Sequence, residues 1–370
     1  MVLVWYVSSH GFGHAARDIE VVNEISRRAR DVRIVMRTSV PASFVEQSAT
    51  VPIDLQHAET DTGVVQIDSL HIDESATARR AAAFHEDFDA RVDREAGILR
   101  QLQATLVVAD IPPLACAAAD RAAIPSVVIG NFTWDWIYAA YSQFDTMAPG
   151  VIATIGAAYA RTTRALRLPL HGGFETMRTV IQDVPFIARE SRRGRDESRR
   201  MLGVSPEETV ALASFGGFGL RLDHHAIVRG NDIRLIVTDG HAPPGNGSTN
   251  PIRLTPQTLA ERGLRYEDLV AASDVVVSKP GYGIVSECIA NDTSLLYAPR
   301  RGFAEQDVFE RDMPALLRCR RIEADDLLAG RWHGPIDALL AQPRPANPPP
   351  TDGSAVAAEE ILKITEELRN

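Results

Sequence analysis

The sequence predicts two α/β domains whose parallel sheets face each other across a cleft. Apolar runs of strand length alternate with amphipathic helical patterns in both halves, and glycine-bearing loops follow several of these runs. The length of 370 residues also suits two domains better than one. We expect a first domain over residues 1–184 and a second over 185–350, separated near the charged run Arg189–Arg200. After a proline-rich connector, residues 351–370 should form a helix that packs back on the first domain.

Composition limits the classes of function. Hydrophobic residues make up 45% of the chain and charged residues 24%, as in folded globular proteins. A formal net charge of −10 argues against a nucleic-acid-binding surface, which needs clustered Lys and Arg. Three widely spaced cysteines form neither a disulfide framework nor a zinc pattern, and no apolar run approaches the ~20 residues of a membrane span. With no signal-peptide pattern at its start, the chain is expected to be cytoplasmic.

The chain opens with a βαβ pattern whose first turn is rich in glycine. Strand Val2–Ser8 leads directly into HGFGHAA, which carries His10, Gly11, Gly13 and His14. The spacing matches a dinucleotide-binding fingerprint, but the next strand ends in Arg37-Thr38 where a ribose-binding acid is expected, which argues against NAD. His14 is either a packed residue at the helix start or a functional group at the mouth of the sheet.

The middle of the first half supplies a carboxylate and a group of aromatic residues. After a long helical pattern over Ala76–Leu102, strand Leu106–Asp110 ends in a carboxylate at the same sheet edge as His14, although Asp110 also suits a helix N-cap. The block Asn131–Tyr138 follows another strand. Helix Gly156–Leu166 and loop 167–173 complete this half. The predicted acceptor-binding residues are His10, Phe132, Trp134, Asp135 and Trp136, with a packed aromatic core as the alternative.

The second half has two loops suited to an anion. Strand Val210–Phe215 runs into Gly216-Gly217, and strand Val275–Val277 runs into a glycine loop that opens a helix, where free backbone N–H groups point at a ligand. Glu287 lies one turn into that helix, within reach of a ribose. Strand Ser294–Ala298 then ends in two arginines followed by carboxylate and amide groups. An ordinary turn with surface charges is the alternative to a nucleotide-sugar site.

Blocks along nearly the whole chain resemble a known family. These blocks are SSHGFGHAARDIEVV, VVADIPPLACAAADRAAIPSV, NFTWDWIY, SFGG, AASDVVVSKPGYGIVSE and RRGFAEQ. They resemble the GT-B nucleotide-sugar-dependent glycosyltransferases and, within them, the glycosyltransferase-like N-terminal region of plant L-arabinokinase. Neither the glycine-serine ATP loop of a sugar kinase nor a G-x-x-x-x-G-K-[ST] motif is present, so arabinokinase activity is not implied.

The resemblance implies a site and a mechanism. In inverting members a His in the first glycine turn is the base and an Asp orients it, and His14 and Asp110 occupy those positions. We expect a nucleotide-diphosphate sugar donor, favouring a UDP-sugar, and a hydroxyl acceptor, with no cofactor and no metal because no Asp-x-Asp pair ends a strand. A nucleotide-sugar hydrolase and a non-catalytic nucleotide-sugar-binding protein remain alternatives. The predicted donor-binding residues are Gly11, Gly13, Gly216, Gly217, Lys279, Gly281, Tyr282, Gly283, Ile284, Glu287, Arg300, Arg301, Glu305 and Gln306.

Overall fold

The computed structural model describes residues 1–216, 220, 222–238 and 250–367, and in them the chain forms two parallel sheets covered by helices. One sheet has seven strands and the other six, which confirms the predicted fold class. No helix in these ranges combines the length and apolarity needed to cross a membrane.

The first sheet has the strand order β3-β2-β1-β4-β5-β6-β7, with all neighbours parallel. Its strands are β1 (Val2–Val7), β2 (Arg33–Thr38), β3 (Asp54–His57), β4 (Leu106–Asp110), β5 (Ser126–Phe132), β6 (Arg164–Gly172) and β7 (Ile181–Asp183). Its helices are α1 (Phe12–Arg28), α2 (Ala42–Ser48), α3 (Glu74–His85), α4 (Phe88–Gln101), α5 (Pro113–Arg121), α6 (Trp134–Ala139), α7 (Gln143–Met147) and α8 (Val151–Tyr159). The strand order reverses between β1 and β4, which opens a crevice at their carboxyl ends.

The second sheet has the order β10-β9-β8-β11-β12-β13 and is also parallel. Its strands are β8 (Val210–Ala213), β9 (Arg234–Val237), β10 (Ile252–Arg253), β11 (Val275–Ser278), β12 (Ser294–Tyr297) and β13 (Cys319–Arg321). The remaining helices are α9 (Gly194–Leu202), α10 (His224–Gly230), α11 (Pro256–Glu261), α12 (Tyr266–Ala272), α13 (Tyr282–Ala290), α14 (Gln306–Asp312), α15 (Ala324–Leu328), α16 (His333–Leu340) and α17 (Gly353–Glu367). Here the order reverses between β8 and β11, so Gly216 and the glycine loop after β11 flank one crevice.

The chain crosses between the two sheets twice, and the crossings touch. Ile187 forms an antiparallel bridge with Asp352, and the N–H of Gly353 donates to the carbonyl of Phe186 at 2.9 Å. Helix α17 then lies against α1, where buried Ile361 joins the apolar cluster of the first sheet. Of the predicted C-terminal segment, residues 368–370 lie outside the described part of the chain.

Two helical predictions in the first half were wrong in their bounds. The segment 76–102 forms two helices, α3 and α4, which are separated near Asp87. The sequence did not predict this break because the junction carries no Gly or Pro. The helix predicted at 156–166 ends at Tyr159. Most of the loop predicted at 167–173 belongs to strand β6. Small apolar residues continued the helical pattern past the true end, while Pro169 hid the strand's alternation.

Candidate functional site

His14 and Asp110 meet at the crevice between β1 and β4. Asp110 ends β4, where it is the register partner of Val7 on β1, and His14 lies in the first turn of the helix that follows β1. Gly11 precedes that helix with a φ of 149°, a conformation that strains other residues. The Nδ1 atom of His14 is 2.8 Å from Oδ1 of the fully buried Asp110. The structure therefore brings the two predicted catalytic side chains into contact.

Arg17, which the sequence analysis missed, also binds Asp110. Its Nε and Nη2 atoms donate to the two carboxylate oxygens at 2.5 Å each, and its Nη1 donates to the side-chain oxygen of Asn131. Burial alone would raise the pKa of Asp110, but the charges of Arg17 and His14 hold it below its usual range. The available sequence signal was the spacing of three residues between His14 and Arg17, which places both on one helix face.

The N-terminus of α13 lies opposite that of α1. A Cβ atom built on Gly283 would be 3.7 Å from the Cα of Gly13, so the two glycine turns approach closely across the cleft. Helix α13 begins at Tyr282, after Gly281, and Ile284 lies in its first turn. The first N–H groups of a helix have no partner within the helix, so both helix starts direct donors into the same space.

Two cations lie close together beside this space. Lys279 follows β11, and burial together with the charge of Arg300 lowers the pKa of Lys279 to about 7. Burial lowers the pKa of Arg300 to about 10, and its closest carboxylate oxygen, on Glu305, is 3.4 Å away. The side-chain oxygen of Gln306 accepts from the backbone N–H of Arg300 at 3.0 Å. Glu305 and Gln306 therefore hold Arg300 in place.

The other predicted donor residues differ in placement. Gly216 approaches Lys279: a Cβ on the glycine would be 4.0 Å from the lysine Cε. The side chain of Arg301 is exposed, and its N–H donates to the carbonyl of Leu70. Gly217 lies outside the described residues.

Glu287 is buried in an ion pair rather than open to the cleft. The Nε of Arg189, in the linker between the sheets, donates to its carboxylate at 2.6 Å. Burial raises the pKa of Glu287, and the charge of Arg189 opposes that shift. The guanidinium of Arg189 also lies 5.0 Å from the centre of the Tyr266 ring. A ribose contact by Glu287 stays a prediction, and such a contact would have to share the carboxylate with Arg189.

The predicted acceptor-binding aromatics divide into two groups. Phe132 touches the site: its ring centre is 5.6 Å from that of His14 and 5.8 Å from that of Tyr282. Trp134 is 1% exposed and donates its indole N–H to Asp61 at 2.9 Å, so it is a core residue with almost no surface for an acceptor. Trp136 is partly buried, packs on Gly172 and also touches the apolar clusters of both sheets.

The remaining two acceptor predictions are occupied by protein contacts. A carboxylate oxygen of Asp135 accepts from the N–H of Trp136 at 3.0 Å. Nδ1 of His10 accepts from the N–H of Val64 at 3.1 Å, and burial lowers the pKa of His10 well below its usual value. In the sequence, aromatic residues recur at positions 132, 134, 136 and 138, which allows either an acceptor wall or a packed core. From Trp134 onward the chain is helical, so residues 134 and 138 share the buried side.

Comparison with known proteins places the fold. No protein-family model matches the chain. It is 30% identical over 376 residues to L-arabinokinase from Arabidopsis thaliana, a match that covers 99% of this chain and 34% of that protein. The chain thus spans about a third of this curated relative's length.

Solved structures of the same architecture are glycosyltransferases. The glycotransferase of kitacinnamycin aligns with a TM-score of 0.60 at 16% identity, covering 98% of this chain and 95% of its own. The calicheamicin glycosyltransferase CalG4 gives a TM-score of 0.60 at 16% identity, with coverage of 99% and 97%. A ugt transferase from Siraitia grosvenorii, solved in complex with UDP, gives 0.54 at 13% identity, covering 99% of each chain. The chain therefore has the GT-B fold of these glycosyltransferases and is similar along nearly its whole length to part of a plant L-arabinokinase.

Proposed function

We propose that the chain is a nucleotide-sugar-dependent glycosyltransferase that moves a sugar to a hydroxyl acceptor with inversion and without a metal ion. The observation that carries the proposal is the 2.8 Å contact between His14 and Asp110 at the carboxyl edge of a parallel sheet, facing the start of α13. A UDP-sugar is the favoured donor because a solved protein of this fold binds UDP.

The donor diphosphate is assigned to the start of α13, beside Lys279 and Arg300. Backbone N–H groups at Gly281, Tyr282 and Gly283 supply hydrogen bonds, and Lys279 and Arg300 supply positive charge that is only weakly paired within the protein. As the bond from the anomeric carbon to the diphosphate breaks, negative charge grows on the leaving group. These fixed donors and cations stabilise that charge.

His14 acts on the acceptor in this mechanism. Its Nε2 atom takes the proton of the acceptor hydroxyl while that oxygen forms the new bond to the anomeric carbon. The diphosphate leaves from the opposite face with the electron pair of the broken bond, so the configuration inverts. Asp110 accepts a hydrogen bond from Nδ1–H of His14, which keeps the Nε2 lone pair free, and it stabilises the imidazolium that forms.

The test compares His14→Ala, Asp110→Asn and the double variant with His171→Ala, an exposed histidine on β6. A thermal-shift screen first identifies the nucleotide that binds. His14→Ala should then keep nucleotide affinity while turnover falls ~10²–10⁴-fold, the usual contribution of a general base. The double variant should be scarcely slower than His14→Ala, because residues that act as a unit are not additive. Wild-type turnover in both single variants contradicts the proposal.

A nucleotide-sugar hydrolase is the second candidate, and the core position of Trp134 favours it, because that position removes part of the predicted acceptor wall. Release of free sugar from the donor, at the same rate with and without hydroxyl acceptors, would identify this activity.

A further inference from the structure

We propose that Arg17 is a positioning residue that turns the His14–Asp110 pair into a three-residue unit and keeps His14 in its neutral, base-competent form. This inference rests on the proposed function of the same site. The guanidinium touches both partners: it donates twice to Asp110 and its Nη2 lies 3.1 Å from Nδ1 of His14. At 8% exposure, it has no surface role that would explain its position.

The first effect of Arg17 is orientation. A carboxylate bound at both oxygens by one planar guanidinium cannot rotate, so Oδ1 of Asp110 stays directed at His14. Asn131 fixes the other end of the guanidinium and is itself anchored, since its amide donates to the carbonyl of Pro169 at 2.6 Å. Three strand ends, of β4, β5 and β6, therefore define where the base lies.

The second effect of Arg17 acts through Asp110, on the proton at Nδ1 of His14. This atom either carries a hydrogen and donates to Asp110 or has a lone pair and accepts from Arg17, and it cannot do both. The approach to Asp110 is the shorter, 2.8 Å against 3.1 Å. The Nη2 atom already donates to Asp110. The geometry thus favours Nδ1–H, which leaves Nε2 free to take a proton.

The third effect is on charge. Asp18 is fully buried, and burial together with the charge of Asp110 raises its pKa well above the usual range, which disfavours a second negative charge beside Asp110. Arg17 and Asp110 then form a pair of zero net charge. Without the Arg17 cation the charge of Asp110 would be uncompensated, which favours the doubly protonated form of His14 that cannot act as a base.

The other charged groups near His14 do not supply this neutralisation. His10 faces it from the glycine turn, where burial keeps the ring uncharged. Asp61 faces it from the segment after β3, and burial raises the pKa of this carboxyl while Ser8 and Trp134 oppose that shift. Across the cleft, Lys279 and Arg300 act on His10. Arg17 is the cation in direct contact with Asp110.

The experiment uses Arg17→Met and Arg17→Lys, with Arg37→Met as a matched control. Arg37 forms the same two-pronged, mostly buried ion pair with Glu95 in the same domain, at 2.9 and 2.8 Å, with no recorded contact to His14. Arg17→Met should lower kcat ~10–100-fold, the cost of a misplaced catalytic group, with the donor KM within twofold. In the pH profile of kcat, the fall on the acid side should move to higher pH in Arg17→Met. Arg17→Lys restores the positive charge with a single donor group and should recover part of kcat. Arg37→Met should lower the melting temperature and leave kcat unchanged.

A second readout does not need turnover. Nitrogen-15 NMR of the His14 ring at pH 7 should show a neutral ring with its proton on Nδ1 in the wild type and a larger doubly protonated fraction in Arg17→Met. An unchanged ring state, or a kcat that falls no further than in Arg37→Met, overturns the role of Arg17. A wild type that shows the NMR pattern but neither transfers nor hydrolyses any sugar nucleotide would refute the proposed function and leave the positioning role standing.

Discussion

UDP affinity should fall steeply when the pH is raised from 7 to 9, because Lys279 loses its charge in that interval. Burial and the neighbouring Arg300 lower the pKa of Lys279 to about 7, so the free protein has this cation half protonated at neutral pH. A diphosphate bound beside Lys279 stabilises the charged form. Binding must therefore be accompanied by uptake of a proton whenever Lys279 starts neutral.

The magnitude follows from that pKa. With a pKa near 7, about half of the Lys279 side chains are protonated at pH 7 and about 1% at pH 9. If the complex keeps Lys279 charged, the dissociation constant for UDP rises about 50-fold over these two units of pH. The sign is that of a cation with a depressed pKa: affinity is greatest below pH 7 and is lost above it. The interval starts at 7 because the terminal phosphate of the nucleotide titrates near pH 6.

Isothermal titration calorimetry in two buffers of different ionisation enthalpy measures the proton directly. Uptake should be about 0.5 proton per UDP at pH 7 and about 0.9 at pH 8. Lys279→Arg, which keeps a cation that does not titrate in this range, should bind with nearly constant affinity from pH 7 to 9. Equal proton uptake in the wild type and Lys279→Arg would refute the reasoning, since the titrating group would then lie elsewhere.

Three further predictions concern buried groups. If the Glu287 carboxylate reaches the ribose, Glu287→Ala should weaken nucleotide binding by ~1.5–3 kcal/mol, as measured by calorimetry. If Glu287 pairs only with Arg189, the same substitution should lower the melting temperature and leave nucleotide affinity unchanged. Gly353→Ala should lower unfolding free energy by ~1–3 kcal/mol, because its Cβ would lie 2.2 Å from the Pro185 carbonyl oxygen, whereas Gly97→Ala, with no atom within 4 Å, should not destabilise. Asp18→Asn should raise the melting temperature more at pH 8 than at pH 5: a carboxyl with a raised folded-state pKa loses stability as the pH rises, and the amide does not.

The sequence predicted the two sheets and the meeting of His14 with Asp110 because both depend on local patterns. An apolar run followed by glycine predicts a strand end, and parallel strands place their ends at one edge, which was enough to bring His14 near Asp110. The role of Arg17 was not predictable in this way, since it depends on Asn131, which comes from a strand 114 residues later. Glu287 was placed on the correct helix, but its partner lies in a linker whose path no periodic pattern describes. The sequence could not separate Phe132, which lies beside His14, from Trp134, which is buried in the core, because helix α6 begins between them and changes which side chains share a face.

Two contacting chain crossings at Phe186–Ile187 and Asp352–Gly353 have a mechanical consequence for the molecule. Two halves joined by a single connection can rotate about it in many directions. Two connections that contact each other restrict this rotation to axes close to the line on which they lie. The linker is clamped to the second domain from Arg189 onward, through Glu287 and Asn291, so bending is confined to the few residues before it. We therefore expect any closing of the cleft to bring Gly13 and Gly283 back to the same alignment, because the paired connections restrict how the two halves can move.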